Sequence, residues 1–132
     1  MAGDLSITGK IVSGAGEGAY FTQIGWVQQQ CVEKLGFRPY PGTLNLQISK
    51  EFLPAIESLN QKKAIELVSP DDKFCNAVVF RISMGEISGA IILPEEKVRI
   101  HPKNIIEIIA PLNLKAALNM NYGDFLKIKI FY

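Results

Sequence analysis

The sequence predicts a mainly β protein folded as one small closed barrel. Three observations predict it: seven or so segments read as short strands, the helical segments between them are short, and no regular strand–helix alternation runs along the chain as a doubly wound sheet requires. A length of 132 residues suits a single domain, residues 1–132, with 48% hydrophobic residues to fill one core and 20% charged residues for an ordinary surface. Closure also removes the exposed edges that an open sheet would leave.

Each element has a local reason. Residues 7–12 read as the first strand, ended by the glycine-rich stretch "SGAGEGAYF" at 13–21, with residues 20–24 as the returning strand. The glycine segment is thus expected to link two strands. Ile24, Val27, Cys31 and Leu35 recur at helical spacing, and Gly36 follows as a C-cap, so a helix of about three turns is expected there. In "RPYPGTLNLQI" two prolines and a glycine make a rigid turn before a strand over 43–48. Leu44, Leu46 and Ile48 point one way along it, and Thr43, Asn45 and Gln47 the other.

Residues 49–59 read as a short helix with Pro54 near its start, and 64–68 as a further strand. Residues 76–82 and 87–93 flank "SMGE", the pattern of a hairpin. The isoleucine-rich run 105–110, bounded by Pro102 and Pro111, reads as a buried strand because β-branched side chains suit a pleated surface. Pro111 is expected to open a short helix through 118, and "NYGD" to turn into a last strand in which Leu126, Ile128 and Ile130 alternate with Lys127 and Lys129.

Charge and cysteine usage narrow the function classes. Fourteen Lys and Arg against thirteen Asp and Glu leave a net charge of +1, with no block of one sign, so neither a nucleic-acid nor a membrane-surface partner is expected. Cys31 and Cys75 stand far apart without a C-x-x-C motif, which indicates reduced thiols rather than a zinc site or a disulfide framework. Residues 1–10 lack the apolar core of a signal peptide and no apolar run is long enough to span a bilayer, so a cytoplasmic protein is expected.

Several residues are candidates for chemistry. The glycine stretch lacks the G-K-[ST] ending of a Walker loop and does not fit a Rossmann turn; a phosphate cradle between strands and a plain turn both fit it. Thr43 and Asn45, two apart on a strand, emerge on one face about 7 Å apart, given a rise of about 3.3 Å per residue. Both carry neutral oxygens that suit a Mg²⁺ held mainly by phosphates, although a solvated strand face explains them too. Glu107 lies among four isoleucines, where a carboxylate is unfavourable unless it is paired, sits at the barrel mouth or faces outward. His101 has no companion ligands for a metal, and Trp26 and Tyr40 fit either ring stacking or packing.

Taken in order, "GKIVSGAGEGAYF", "LGFRPYPGTLNLQI", "GAIILP" and "NIIEIIAPLNLKAALNMNYGDFLKI" resemble the archaeal CTP-dependent riboflavin kinases, a family of cradle-loop barrels. The resemblance implies a six- to seven-stranded cradle-loop barrel with one or two short helices, transferring the γ-phosphoryl group of CTP to riboflavin to give FMN and CDP. It implies that Gly14, Ala15, Gly16, Glu17, Gly18 and Ala19 wrap the nucleotide through backbone N–H groups, that Leu112, Asn113, Leu114 and Lys115 line the CTP site, and that Thr43 and Asn45 hold Mg²⁺. Glu107 then contacts the ribityl end of the flavin, where it orients or deprotonates the attacking hydroxyl. Arg99 departs from the family pattern, which places Thr eight residues before the glutamate. Two other readings fit parts of the chain: a barrel that binds nucleotide or flavin without turnover, and a DNA-binding cradle-loop barrel suggested by "NYGDFLKIKI", which the near-neutral charge opposes.

Overall fold

A computed structural model describes residues 3–14, 17–70, 76–94 and 104–132 of the chain. Its strands are β1 (Asp4–Val12), β2 (Leu44–Ile48), β3 (Ile65–Leu67), β4 (Ala77–Met84), β5 (Ile87–Pro94), β6 (Ile105–Ile109) and β7 (Phe125–Phe131). The helices are α1 (Glu17–Gln23), α2 (Gly25–Leu35), α3 (Leu53–Glu57) and α4 (Leu114–Leu118). All strand pairings are antiparallel, in the order β3-β4-β5-β6-β2-β1-β7, and the sheet closes where β7 meets β4 through Ile82 opposite Ile130 and Ser83 opposite Lys129. Six strands therefore form a barrel, and β3 lies outside it against β4.

Period-two alternation fills the interior. Along β7 the odd and even positions alternate without fault, so Leu126, Ile128 and Ile130 enter the barrel while Lys127 and Lys129 face water. β2 does the same with Leu44, Leu46 and Ile48. Each buried aliphatic side chain contributes about 1.5–3 kcal/mol relative to exposure. The first half of β4, Ala77 to Phe80, is buried on both faces. Val78 and Phe80 point into the barrel, whereas Val79 between them joins a second cluster on the outside.

That outer cluster explains α2. Val27, Cys31 and Leu35, at the expected helical spacing, pack on Leu67, Val79, Ala90 and Ile109. Gly36 ends the helix in the left-handed region with φ of 86° and its N–H reaching the Cys31 carbonyl, as its position in the sequence predicts. Arg81 on β4 donates through both terminal nitrogens to the carbonyls of Leu35 and Lys34 at 2.9 Å each. Side chains of α2 also take backbone groups at β3: the Gln30 amide both donates to the Val68 carbonyl, 2.7 Å, and accepts from the Val68 N–H, 2.8 Å, and Lys34 donates to the Glu66 carbonyl, 2.6 Å.

Three expectations need correction. Residues 20–24 do not form a returning strand; the chain leaves β1 and enters α1 at Glu17, so the glycine segment links a strand to a helix. The reason is pairing: β1 is already bonded to β2 on one edge and to β7 on the other, which leaves no edge for a hairpin partner. The link between β4 and β5 is the two-residue turn Gly85–Glu86, because Met84 already pairs with Ile87. α4 starts at Leu114 rather than Pro111, with Asn113 as its N-cap accepting the Ala116 N–H at 3.3 Å. In 49–59 the expected helix is α3 flanked by 3₁₀ turns at Lys50–Phe52 and Ser58–Gln61, with Pro54 in its first turn. Among the described residues, no helix is long and apolar enough to cross a membrane.

Candidate functional site

Strand register assembles the site at one end of β2. Asn45 stands opposite Glu107 of β6 on one side and opposite Val12 of β1 on the other. Just before β2, the Thr43 hydroxyl donates to Glu107 Oε1 at 2.9 Å. Thr43, Asn45 and Glu107 are all half-buried, on the face of the strands opposite to the leucines and isoleucines of the core. A threonine, an asparagine and a glutamate that are up to 64 residues apart thus share one small patch.

Gly14 closes over that patch. Because Val12 pairs with Asn45, the chain leaving β1 passes the Asn45 side chain two residues later. A Cβ on Gly14 would stand 2.8 Å from Asn45 Cγ and closer still to its Nδ2. The bareness of this position is therefore a demand of close approach, not of backbone conformation, since Gly14 is not among the glycines of positive φ.

The turn carrying Thr43 is held from both sides. The Tyr40 N–H donates to the Ala110 carbonyl just past β6, 2.8 Å. The Gly42 N–H donates to the hydroxyl of Thr22 at the end of α1, also 2.8 Å, and Thr22 Oγ1 in turn donates to the Ala19 carbonyl at 3.3 Å. Gly42 has φ of 105°, a conformation that disfavours any side chain. Thr22 is fully buried, and sequence reasoning did not single it out because the segment around it reads as a strand.

At Thr43 a cleft of about 140 Å³ opens to solvent. Tyr40, Pro41, Gly42 and Thr43 form one wall, and Leu112, Asn113, Leu114 and Lys115 another. The cleft so unites Thr43 with the four residues that the resemblance assigns to the nucleotide. Leu114 is buried and joins the barrel core, and the Asn113 side chain is engaged as a helix cap, so Leu112 and Lys115 are the side chains free of those tasks. Lys115 Nζ lies 3.6 Å from the centre of the Tyr122 ring. Gly14, Asn45 and Glu107 do not line this cleft; the Thr43–Glu107 hydrogen bond joins them to it.

Other expected positions fall elsewhere. Ala15 and Gly16 lie outside the described residues, as do Cys75, Arg99 and His101; Glu17 and Gly18 open α1, and Ala19 sits in its exposed face. Trp26 packs edge-on against Phe21 at 6.2 Å beside the outer cluster, whereas Tyr40 is 46% exposed at the cleft. Cys31 is buried, and burial pushes its thiol up to about 11.

The donor set fits a phosphate-bound Mg²⁺ rather than a protein cage. Among the described residues no three His, Cys, Asp or Glu stand together. Thr43 spends its one proton on Glu107, which leaves its lone pairs for a cation, and Asn45 adds an amide oxygen beside it.

Comparison with known proteins adds the following. The family model CTP-dep_RFKase, described as domain of unknown function DUF120, matches residues 11–130. The riboflavin kinase of Archaeoglobus fulgidus is 38% identical over 97% of this chain and 55% of that protein. Those of Pyrobaculum aerophilum and Thermococcus kodakarensis are 33% and 37% identical, over 96% and 94% of this chain and 60% and 58% of theirs. The chain thus spans somewhat more than half the length of the curated relatives it matches.

Proposed function

The chain belongs to the family of the CTP-dep_RFKase model, and from that premise we propose that it is a riboflavin kinase that uses CTP, releasing FMN and CDP. One observation supports this reading above others: a hydroxyl–carboxylate pair, Thr43 with Glu107, stands beside Asn45 beneath a bare Gly14 and at the rim of a cleft lined by Leu112, Asn113 and Lys115. Phosphoryl transfer asks a protein for positioning and charge neutralisation more than for a covalent intermediate. Each part of the patch has such a task.

In this reading the segment from Gly14 to Ala19 follows the triphosphate with backbone N–H groups, and Lys115 supplies positive charge from the opposite wall. Thr43 and Asn45, together with phosphate oxygens, would hold Mg²⁺, which would supply charge neutralisation at the transferring group. Glu107 receives the proton of the terminal ribityl hydroxyl as that oxygen bonds to the γ-phosphorus and the bond from phosphorus to the β–γ bridging oxygen breaks. Thr43 orients Glu107 through its hydrogen bond. A cytoplasmic setting belongs to the same proposal.

Purified protein incubated with riboflavin, Mg²⁺ and either CTP or ATP tests the reading by chromatography of the flavin. FMN formed with CTP and not with ATP is the expected result. FMN with ATP alone would overturn the donor, and no FMN with either would overturn the reaction. Omitting Mg²⁺ by chelation should abolish the product.

A further inference from the structure

Thr22 is the sole polar residue found fully buried among the described residues. A buried hydroxyl is retained at a cost unless it is hydrogen-bonded. Two of its hydrogen bonds tie α1 to the turn before β2. Its proton goes to the Ala19 carbonyl one turn back in α1, 3.3 Å, and its lone pair accepts the N–H of Gly42, 20 residues ahead, 2.8 Å. The Thr22 carbonyl is also engaged, accepting the Gln28 side-chain amide at 3.2 Å.

The two ends of this arrangement lie on opposite sides of the proposed reaction. Ala19 belongs to the segment read as the nucleotide wrap, and Gly42 immediately precedes Thr43, whose hydroxyl holds Glu107. With φ at 105°, Gly42 has the freedom to swing the turn unless something fixes its amide. We propose that the Thr22 hydroxyl is a positioning group that fixes Gly42 and so sets the Thr43–Glu107 pair in register with the glycine segment. This rests on the phosphoryl-transfer reading of the site for its consequence, though not for its geometry. Thr22 touches no reacting atom; it acts through Gly42.

Thr22→Val keeps the shape of the side chain and removes the hydroxyl, and Thr22→Ser keeps the hydroxyl. Misplacement on the order of 1 Å costs about 10²-fold in a positioned reaction. We therefore expect Thr22→Val to lower kcat by about 10- to 100-fold while KM for riboflavin and for CTP each change less than about threefold, and Thr22→Ser to restore most of the loss. Retention of wild-type kcat in Thr22→Val, or an equal loss in Thr22→Ser, would overturn the proposal. Amide hydrogen exchange by NMR gives a readout independent of activity and, in the wild-type protein, of variant folding. The Gly42 amide should be protected in the wild type and lose most of that protection in Thr22→Val while the β1 and β7 amides keep theirs. An unprotected Gly42 amide in the wild type would overturn the proposal. Should the wild type form no FMN, the assignment of the reaction fails, and the exchange of Gly42 still decides the role of Thr22.

Discussion

Replacing Gly14 by alanine tests the site where its geometry is tightest. The added Cβ would meet Asn45 Cγ at 2.8 Å and Oδ1 at 3.0 Å, whereas ordinary contact begins at 3.4 Å. Cγ must then retreat by about 0.6 Å, the difference between 3.4 and 2.8 Å, and Nδ2, which stands closer still, by more, unless the loop lifts by as much. Backbone strain is not involved, because Gly14 is not in the positive-φ region. The unfolded chain loses entropy on the change, which offsets part of the clash by about 0.4–1 kcal/mol. Net stability should therefore move by no more than about 1 kcal/mol, since a half-buried asparagine can rotate away. Activity should respond more. With roughly 10²-fold lost per ångström of misplacement, a displacement of this size predicts a fall in kcat/KM of about 10-fold or more. The assay is steady-state FMN formation beside a thermal melt of the same sample. Asn45→Ala removes the colliding amide, so Gly14→Ala combined with Asn45→Ala should lose no more than Asn45→Ala alone. Full activity in Gly14→Ala, or losses that simply add in the double variant, would refute the reasoning.

Other consequences can be checked with less work. Glu107→Gln should lower kcat by about 10²-fold or more, the scale of a lost general base, while the melting temperature stays within a few degrees because the side chain is only half-buried; an unchanged pH–rate profile with unchanged kcat would remove Glu107 from the chemistry. Arg81→Ala should cost about 1–2 kcal/mol by freeing the Leu35 and Lys34 carbonyls at the end of α2, with FMN formation unaltered at temperatures where the variant is folded. Cys31, held at about 11 against an ordinary 9.0, stays protonated in the folded chain where the unfolded one has ionised. The unfolded state then binds fewer protons, so the Cys31 contribution to stability is complete below pH 9 and declines as pH rises towards 11. Alkylation at pH 8 followed by peptide mass mapping should modify Cys31 only after denaturation, and labelling in the native protein would contradict its burial.

How much of this was legible in the sequence depended on range. β2 and β7 were readable because strict alternation, Leu44 to Ile48 and Leu126 to Ile130, is a signal contained within each strand. α2 was readable from Val27, Cys31 and Leu35 together with Gly36. α1 was not, because its exclusion from the sheet depends on β1 having both edges occupied by segments more than thirty residues away. Within the site, Thr43, Asn45 and Glu107 stood out as oxygen-bearing residues amid apolar strands, and the register brings them together. The need for Gly14 became clear only from its distance to Asn45, and Thr22 gave no signal, since a threonine beside aromatic residues suits a strand as readily as a helix.

Ring closure has a further effect on how the chain behaves at high concentration. Among the described residues the six barrel strands each have a neighbour on both edges, so β3, which pairs with β4 alone, is where a foreign strand would add. That strand is three residues long, and the Gln30 amide already pairs with Val68 in the manner of a neighbouring strand while Lys34 occupies the Glu66 carbonyl. A helix thus blunts the template for fibrillar association, and Gln30→Ala or Lys34→Ala is the place to look for a variant that stays folded yet precipitates.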